Sequence, residues 1–254
     1  MVRNIKLTLQ YDGTNFSGFE LQPGKKTIRG ELEKALTKLF KQKIKVIGVS
    51  RTDAGVHAAD QIVNFKLKNP LPVKNIPAAL NSCLPLAIRI IKAQEVGQGF
   101  KSRSAAQSKE YEYLIFNGQI LPPILINLAW QIKPKLRLPS MRKAAKVLIG
   151  KHDFKSFCAS NSDDHNFIRT LHQLVIRHSS LVIWEEQGIK VIRIKVCGNG
   201  FLYKMVRNIV GTLVEVGLGK LRVNDVKKIL LAQDRKLAGR TAPAQGLCLV
   251  KVNF

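Results

Sequence analysis

Apolar and polar residues alternate along four stretches of the chain, and strict alternation predicts strands with one covered face. Ile5, Leu7 and Leu9 alternate with Asn4, Lys6, Thr8 and Gln10. Val63, Phe65 and Leu67 alternate with Asn64 and Lys66. Tyr111, Tyr113 and Ile115 alternate with Glu110, Glu112 and Leu114, and Ile192, Ile194 and Val196 with Arg193 and Lys195. One-sided alternation suits an antiparallel or mixed sheet rather than a doubly wound parallel one. Elsewhere the period is 3.6. Ile28, Leu32, Ala35, Leu36, Leu39 and Phe40 form one helical stripe, with Thr27 placed to cap it. Further helices are expected over Met141–Ile149, Phe201–Val216 and Asn224–Leu231.

In order, these elements make an α+β pattern that appears twice. A boundary is expected near residues 100–110, where Lys101-Ser102-Arg103-Ser104 leads into the second half. The halves would be an N-terminal α+β subdomain over residues 1–105 and a C-terminal one over residues 106–254. Four prolines interrupt the pattern between Gly118 and Pro139. The hydrophobic fraction, 45%, and the charged fraction, 23%, are those of a globular chain, which excludes a disordered tail, a collagen or a heptad rod.

Charge adds a function class. There are 42 Lys and Arg against 17 Asp and Glu, a net +25. Such an excess repels itself unless a polyanion offsets it. Nucleic acid is the first candidate, ahead of an anionic membrane surface or a generally lysine-rich proteome. Prolines and Asn127 break the run Ile120–Trp130, Glu215 breaks Ile209–Leu218, and the N-terminus lacks a signal-peptide pattern. The expectation is a cytoplasmic protein with no membrane partner. Cys83, Cys158, Cys197 and Cys248 show no C-x-x-C spacing, so neither a zinc site nor a redox pair is signalled, and buried, inert thiols are expected.

Four segments are candidates for chemistry. Val49 to Asp60 reads as a long loop between a short strand over Ile44–Val49 and a strand beginning at Ile62, and it holds Arg51, Asp53, Gly55, His57 and Asp60. Thr52-Asp53-Ala54-Gly55 alone reads as an ordinary turn. A carboxylate beside an arginine also stays ionised and serves as nucleophile or base. Glycosidic chemistry usually needs a second carboxylate, and Asp60, the nearest, looks like a cap. Gly198 to Thr212 reads as a strand end, a glycine turn and a helix start, a place where anions bind. Lys204, Arg207, Asn208, Gly211 and Glu215 share one side of that helix, either as a solvated face or as one turned to a cleft, and Gly211 would let another backbone approach. Tyr11 to Phe19 is a turn with apolar anchors. Tyr111 and Tyr113 share a strand face, as core aromatics or as a stacking platform for a base.

In order, these strings resemble one family, the tRNA pseudouridine synthases of the A type. They are Tyr11-Asp12-Gly13-Thr14, Arg51-Thr52-Asp53-Ala54-Gly55-Val56-His57-Ala58, Phe100 to Ala105, Tyr111-Glu112-Tyr113, His152-Asp153-Phe154, Met205 to Thr212, and Thr241-Ala242-Pro243 before Gly246-Leu247. The resemblance runs from about Lys6 to the C-terminus. Ser50 stands where the family usually has Gly, Phe19 where it has Trp, and Gln107-Ser108-Lys109 is less arginine-rich than usual.

The resemblance implies a pseudouridine synthase fold, with two subdomains in one extended, mostly antiparallel mixed sheet, helices on one side and a central basic cleft. It implies an isomerase that converts uridine to pseudouridine in the anticodon stem-loop of tRNA, at positions 38–40, as a homodimer without cofactor, metal or ATP. Asp53 matches the essential aspartate, acting on the ribose, on the uracil or along a glycal route. Tyr111 matches the tyrosine that packs on the target base, and Arg207 the arginine that pairs with the aspartate. Arg51, His57 and Lys204, with Tyr111, are candidate substrate-binding residues. A stem base must be flipped out to react. Lys25, Lys26, Lys101, Arg103, Arg142, Lys143 and Lys146 are candidates for the phosphate contacts that offset that cost. The competing class is a non-catalytic RNA-binding module on the same scaffold; a base-removing glycosidase is a third reading.

Overall fold

A computed structural model describes residues 1–162, 164–181 and 188–254. They group into two compact units, Met1–Gln107 with Cys248–Phe254, and Ser108–Leu247.

The first unit is built on β1 (Arg3–Tyr11), which lies between two antiparallel neighbours. Helix α1 (Ile28–Phe40) follows, capped as expected: the Thr27 hydroxyl accepts the Gly30 N–H at 3.2 Å. Its buried residues are Ile28, Leu32, Ala35, Leu36 and Phe40, the expected stripe without Leu39. The strand expected over 44–49 shrinks to β2 (Ile47–Gly48), paired with β3 (His57–Leu67). A short helix that periodicity did not reveal, α2 (Ile76–Asn81), packs on β4 (Ile88–Val96). The one-turn α3 (Ser102–Ala105) ends the first pass through this unit.

Strand β3 departs from one-sided alternation. Ile62, Val63, Asn64 and Phe65 are all buried, so both faces are covered. Asn64 explains the second cover: its Oδ1 accepts the Ser102 N–H at 2.9 Å and its Nδ2 donates to Asn4 Oδ1 at 3.1 Å. Asn4, expected on a polar face, is fully buried and donates to the Gly97 and Phe100 carbonyls, each at 2.9 Å. Buried amides are tolerated where they are hydrogen-bonded, and these bind the 97–102 segment to the sheet.

The second unit contains β5 (Ser108–Asn117), β6 (Trp130–Ile132), α4 (Leu138–Val147), β7 (Gly150–Asp153), β8 (Ile168–Leu181) and β9 (Ile189–Gly198). Helices α5 (Met205–Gly217) and α6 (Val223–Ala232) follow. Antiparallel pairing joins β5 to β9, β9 to β8 and β8 to β7, while β6 runs parallel to β5. Helix α4 packs on α5, α6 and β8. It starts three residues before the expected Met141, because Pro139 suits a first turn that lacks an N–H partner. Helix α5 starts four residues after the expected Phe201, because Lys204 adopts the left-handed conformation, φ 57°.

Strand β10 (Leu247–Asn253) returns the chain to the first unit and pairs in parallel with β3, Cys248 opposite His57 and Leu249 opposite Ala58. The last seven residues, counted above with the second half, therefore pack with the first. Together with Tyr11 of β1, which pairs with Ala58, β10 draws His57–Asp60, expected in a loop, into a strand. Both units are mixed and mostly antiparallel with helices, the expected α+β class. Cys158 is buried, which raises its thiol pKa, whereas Cys83, Cys197 and Cys248 are only half-buried, unlike the expectation. Among the described residues, no helix is long and apolar enough to cross a membrane.

Candidate active site

In the first unit the loop carrying Asp53 is clamped from beneath. Val56 N–H donates to the Asp53 carbonyl at 3.1 Å, closing a turn that needs the φ of +78° at Gly55. The turn reading of this loop is thus correct, and it leaves the carboxylate role open. The Tyr11–Phe19 turn lies against it: Phe19 N–H donates to the Thr52 carbonyl at 3.0 Å, and Gly55 N–H to the Phe16 carbonyl at 3.3 Å. Gly13 permits the approach, since a Cβ there would meet the Val56 carbonyl oxygen at 2.0 Å.

Side chains complete the clamp. Tyr11 Oη and Thr52 Oγ1 share a buried hydrogen bond of 2.7 Å. Gln61, fully buried, donates to the Ser50 carbonyl at 2.8 Å and accepts the Ser50 N–H at 3.2 Å. Residues 50 and 52 are thereby fixed on both sides of Arg51, and Asp53 follows, half-buried. Arg51 is exposed and pairs with Glu20 at 3.2 Å; Glu20 also pairs with Arg29. His57 is buried, its Nδ1 3.1 Å from both Gly13 N and Asp12 Oδ1. As neutral imidazole it accepts the Gly13 N–H; as imidazolium it pairs with Asp12. Burial raises the Asp12 pKa, but hydrogen bonds from the Thr14 hydroxyl and N–H, with His57, outweigh it and hold the carboxyl below its usual range. Asp60 accepts the Val252 N–H at 2.8 Å, tying β10 to β3, which is a structural duty.

The second unit positions Tyr111, Lys204 and Arg207. Tyr111 is buried, with its ring edge-on to Phe201 at 5.1 Å. Tyr113 is fully buried, donates to the Pro243 carbonyl at 2.8 Å and packs edge-on to Trp130. Burial pushes its phenol far up, against the opposing pull of Arg207 and Arg240, so Tyr113 is a core aromatic. Glu110 and Glu112, on the other face of β5, pair with Lys195 and Arg193 of β9. Lys204 is half-buried, its Nζ over the Tyr203 ring at 4.9 Å.

The polar side of α5 is not solvated, as one reading allowed. Asn208 and Thr212 are fully buried, and the helix docks the 235–242 segment. Arg207 Nε donates to the Ala242 carbonyl at 2.8 Å, and Ala242 N–H returns to the Arg207 carbonyl at 3.1 Å. Asn208 Oδ1 accepts from Thr241 and Arg235 at 2.7 and 3.0 Å. Gly211 fulfils its expected role: a Cβ would lie 1.7 Å from the Arg240 carbonyl oxygen.

The basic candidates Lys25, Lys26, Lys101, Arg103, Arg142, Lys143 and Lys146 are all exposed. Arg142 also donates to the Ile176 carbonyl at 2.9 Å, and the Lys26 ammonium lies 5.1 Å from the Phe16 ring centroid. Among the described residues, no group of three or more His, Cys, Asp or Glu is placed to hold a metal. Sequence reasoning missed Gln61 and Glu20. Neither carries a local signal, because each works on a partner that is remote in sequence or across a loop.

Comparison with known proteins defines the class. The sequence profile of the tRNA pseudouridine synthases matches residues 8–103 and 144–254, so the chain belongs to that family. Relatives called tRNA pseudouridine synthase A include those of Thermoanaerobacter sp., 43% identical, and Acetivibrio thermocellus, 41% identical, each over 253 residues and 100% of both chains. That of Bacillus subtilis is 41% identical over 98% of both chains.

Proposed function

We propose that this protein isomerises uridine to pseudouridine in tRNA, within the anticodon stem-loop. Family membership over most of the chain carries the reading. The bond from ribose carbon 1 to uracil N1 breaks and one to uracil carbon 5 forms. The proton leaves carbon 5 and N1 ends protonated, so the RNA keeps its composition.

In this reading Asp53 is the essential carboxylate, and the clamp from Tyr11, Gln61 and the Phe16–Phe19 backbone supports it by fixing the loop before substrate arrives. Tyr111 packs on the uracil, and Arg207 supplies the cationic partner the carboxylate requires. Arg51, His57 and Lys204 assist in binding substrate. Lys25, Lys26, Lys101, Arg103, Arg142, Lys143 and Lys146 contact RNA phosphates. The two compact units serve as the two subdomains, and the enzyme works in the cytoplasm as a homodimer without a cofactor.

The test is incubation with unmodified tRNA transcripts and no additives, followed by digestion and nucleoside chromatography, with Asp53→Asn in parallel. Pseudouridine from wild type alone, with tRNA binding kept by the variant, supports the reading. Pseudouridine from both removes Asp53 as the essential group. Binding without product from either favours the RNA-binding module, and free uracil with an abasic site favours a glycosidase.

A further inference from the structure

None of the roles above uses the part of the second unit where β6 meets the end of α5. A cavity of about 530 Å³ opens there. Its lining combines apolar Ile132, Pro134 and Leu218 with the cations Lys133, Lys220 and Arg240. Two of the cations are held by one carboxylate: Glu215 lies 3.5 Å from Arg240 Nε and 3.4 Å from Lys220 Nζ. Its side chain is only 13% exposed, whereas those of Arg240 and Lys220 are 58% and 66% exposed.

One carboxylate cannot neutralise three cations, so the cavity carries an excess of two positive charges among apolar lining residues. Such a lining focuses the field and favours an anion. Its apolar part requires more than a bare anion, since it offers nothing to a hydrated phosphate and much to a planar ring. Arg240 supplies the link. Its guanidinium carbon lies 4.7 Å from the centroid of the Trp130 ring, a cation–π contact that anchors it at the cavity. Arginine planes stack on nucleobases, which lysine ammonium groups do not.

We propose that this cavity seats one nucleotide of the RNA strand away from the reacting uridine. Its base packs against Ile132, Pro134, Leu218 and the Arg240 plane, and its phosphate sits with Lys133 and Lys220. The assignment rests on tRNA being the substrate.

The test measures tRNA affinity across a salt series for wild type, Lys133→Gln/Lys220→Gln and Arg240→Lys, with free UMP as a second ligand. Removing one phosphate contact lowers the slope of log K against log salt by about 0.7 for a single strand. The double variant is expected to show that loss. Arg240→Lys keeps the charge, so its slope is expected to hold while affinity falls about tenfold, within the range for one stacked base. Wild-type slope and affinity in all variants would overturn the site while leaving the tRNA reading intact. Loss of UMP binding alone, with tRNA affinity and slope kept, would overturn the RNA assignment in favour of a free-nucleotide pocket. Wild type that neither binds nor converts tRNA would overturn both.

Discussion

Gly211→Ala separates tertiary docking from helix propensity, because the two predict opposite signs. In an isolated helix the change would stabilise by about 1 kcal/mol. Here the new Cβ would stand 1.7 Å from the Arg240 carbonyl oxygen and 2.9 Å from its carbon. Close C···O contacts are about 3.3 Å, so the segment must retreat by roughly 1.5 Å. That retreat breaks the two bonds between Arg207 and Ala242 and the one from Gly239 N–H to Thr212 Oγ1. At about 1 kcal/mol each, the loss outweighs the helical gain and leaves a net destabilisation of about 2 kcal/mol. In a chain of this size that lowers Tm by about 4–8 °C. Turnover is expected to fall further than stability, by about 100-fold, because Arg207 loses the carbonyl that orients it. Thermal denaturation and pseudouridine formation are measured together, with Gly97→Ala as the control, since a Cβ there meets nothing within 4 Å. A Gly211→Ala protein that melts at or above the wild-type temperature would refute the reasoning.

Three further outcomes are expected. Ser50 Oγ is buried without a hydrogen-bond partner among the described residues, so Ser50→Ala should raise stability in urea by about 1 kcal/mol; a loss would mean that the hydroxyl is satisfied. Asp60→Ala should lose about 1.5–3 kcal/mol and the hydrogen-exchange protection of Val252 N–H, yet keep the chemistry that Asp53→Ala is expected to abolish, as nucleoside analysis would show. The Asp12 carboxyl is held below 3.8 in the folded state, so its contribution is present above that pH and is lost as pH falls through the lower folded value. Asp12→Asn should therefore flatten the acid limb of stability, and an unchanged limb in acid titration would remove Asp12 as a contributor.

Local pattern alone was enough for much of this molecule. The α1 stripe and its Thr27 cap, the alternation of β1, β5 and β9, the turn at Asp53-Ala54-Gly55 and the close approach at Gly211 were all legible, because each depends on neighbours within a few residues or on a missing side chain. The family strings carried Asp53, Tyr111 and Arg207 as candidates for the same reason: they are contiguous words.

Tertiary structure decided the rest. His57–Asp60 becomes strand because Ala58 pairs both with Tyr11 of β1 and with Leu249 of β10, about 190 residues away, which also brings the Val252 N–H that Asp60 accepts. Asn4 and Asn64 look like a solvent face until the 97–102 segment covers them and takes up their amides. Arg207 and Asn208 look like a wet helix face until the 235–242 segment docks there. In each case the sequence shows which groups need partners. Only the fold shows which partners arrive, because a polar group at a given period reads the same whether water or a distant backbone satisfies it.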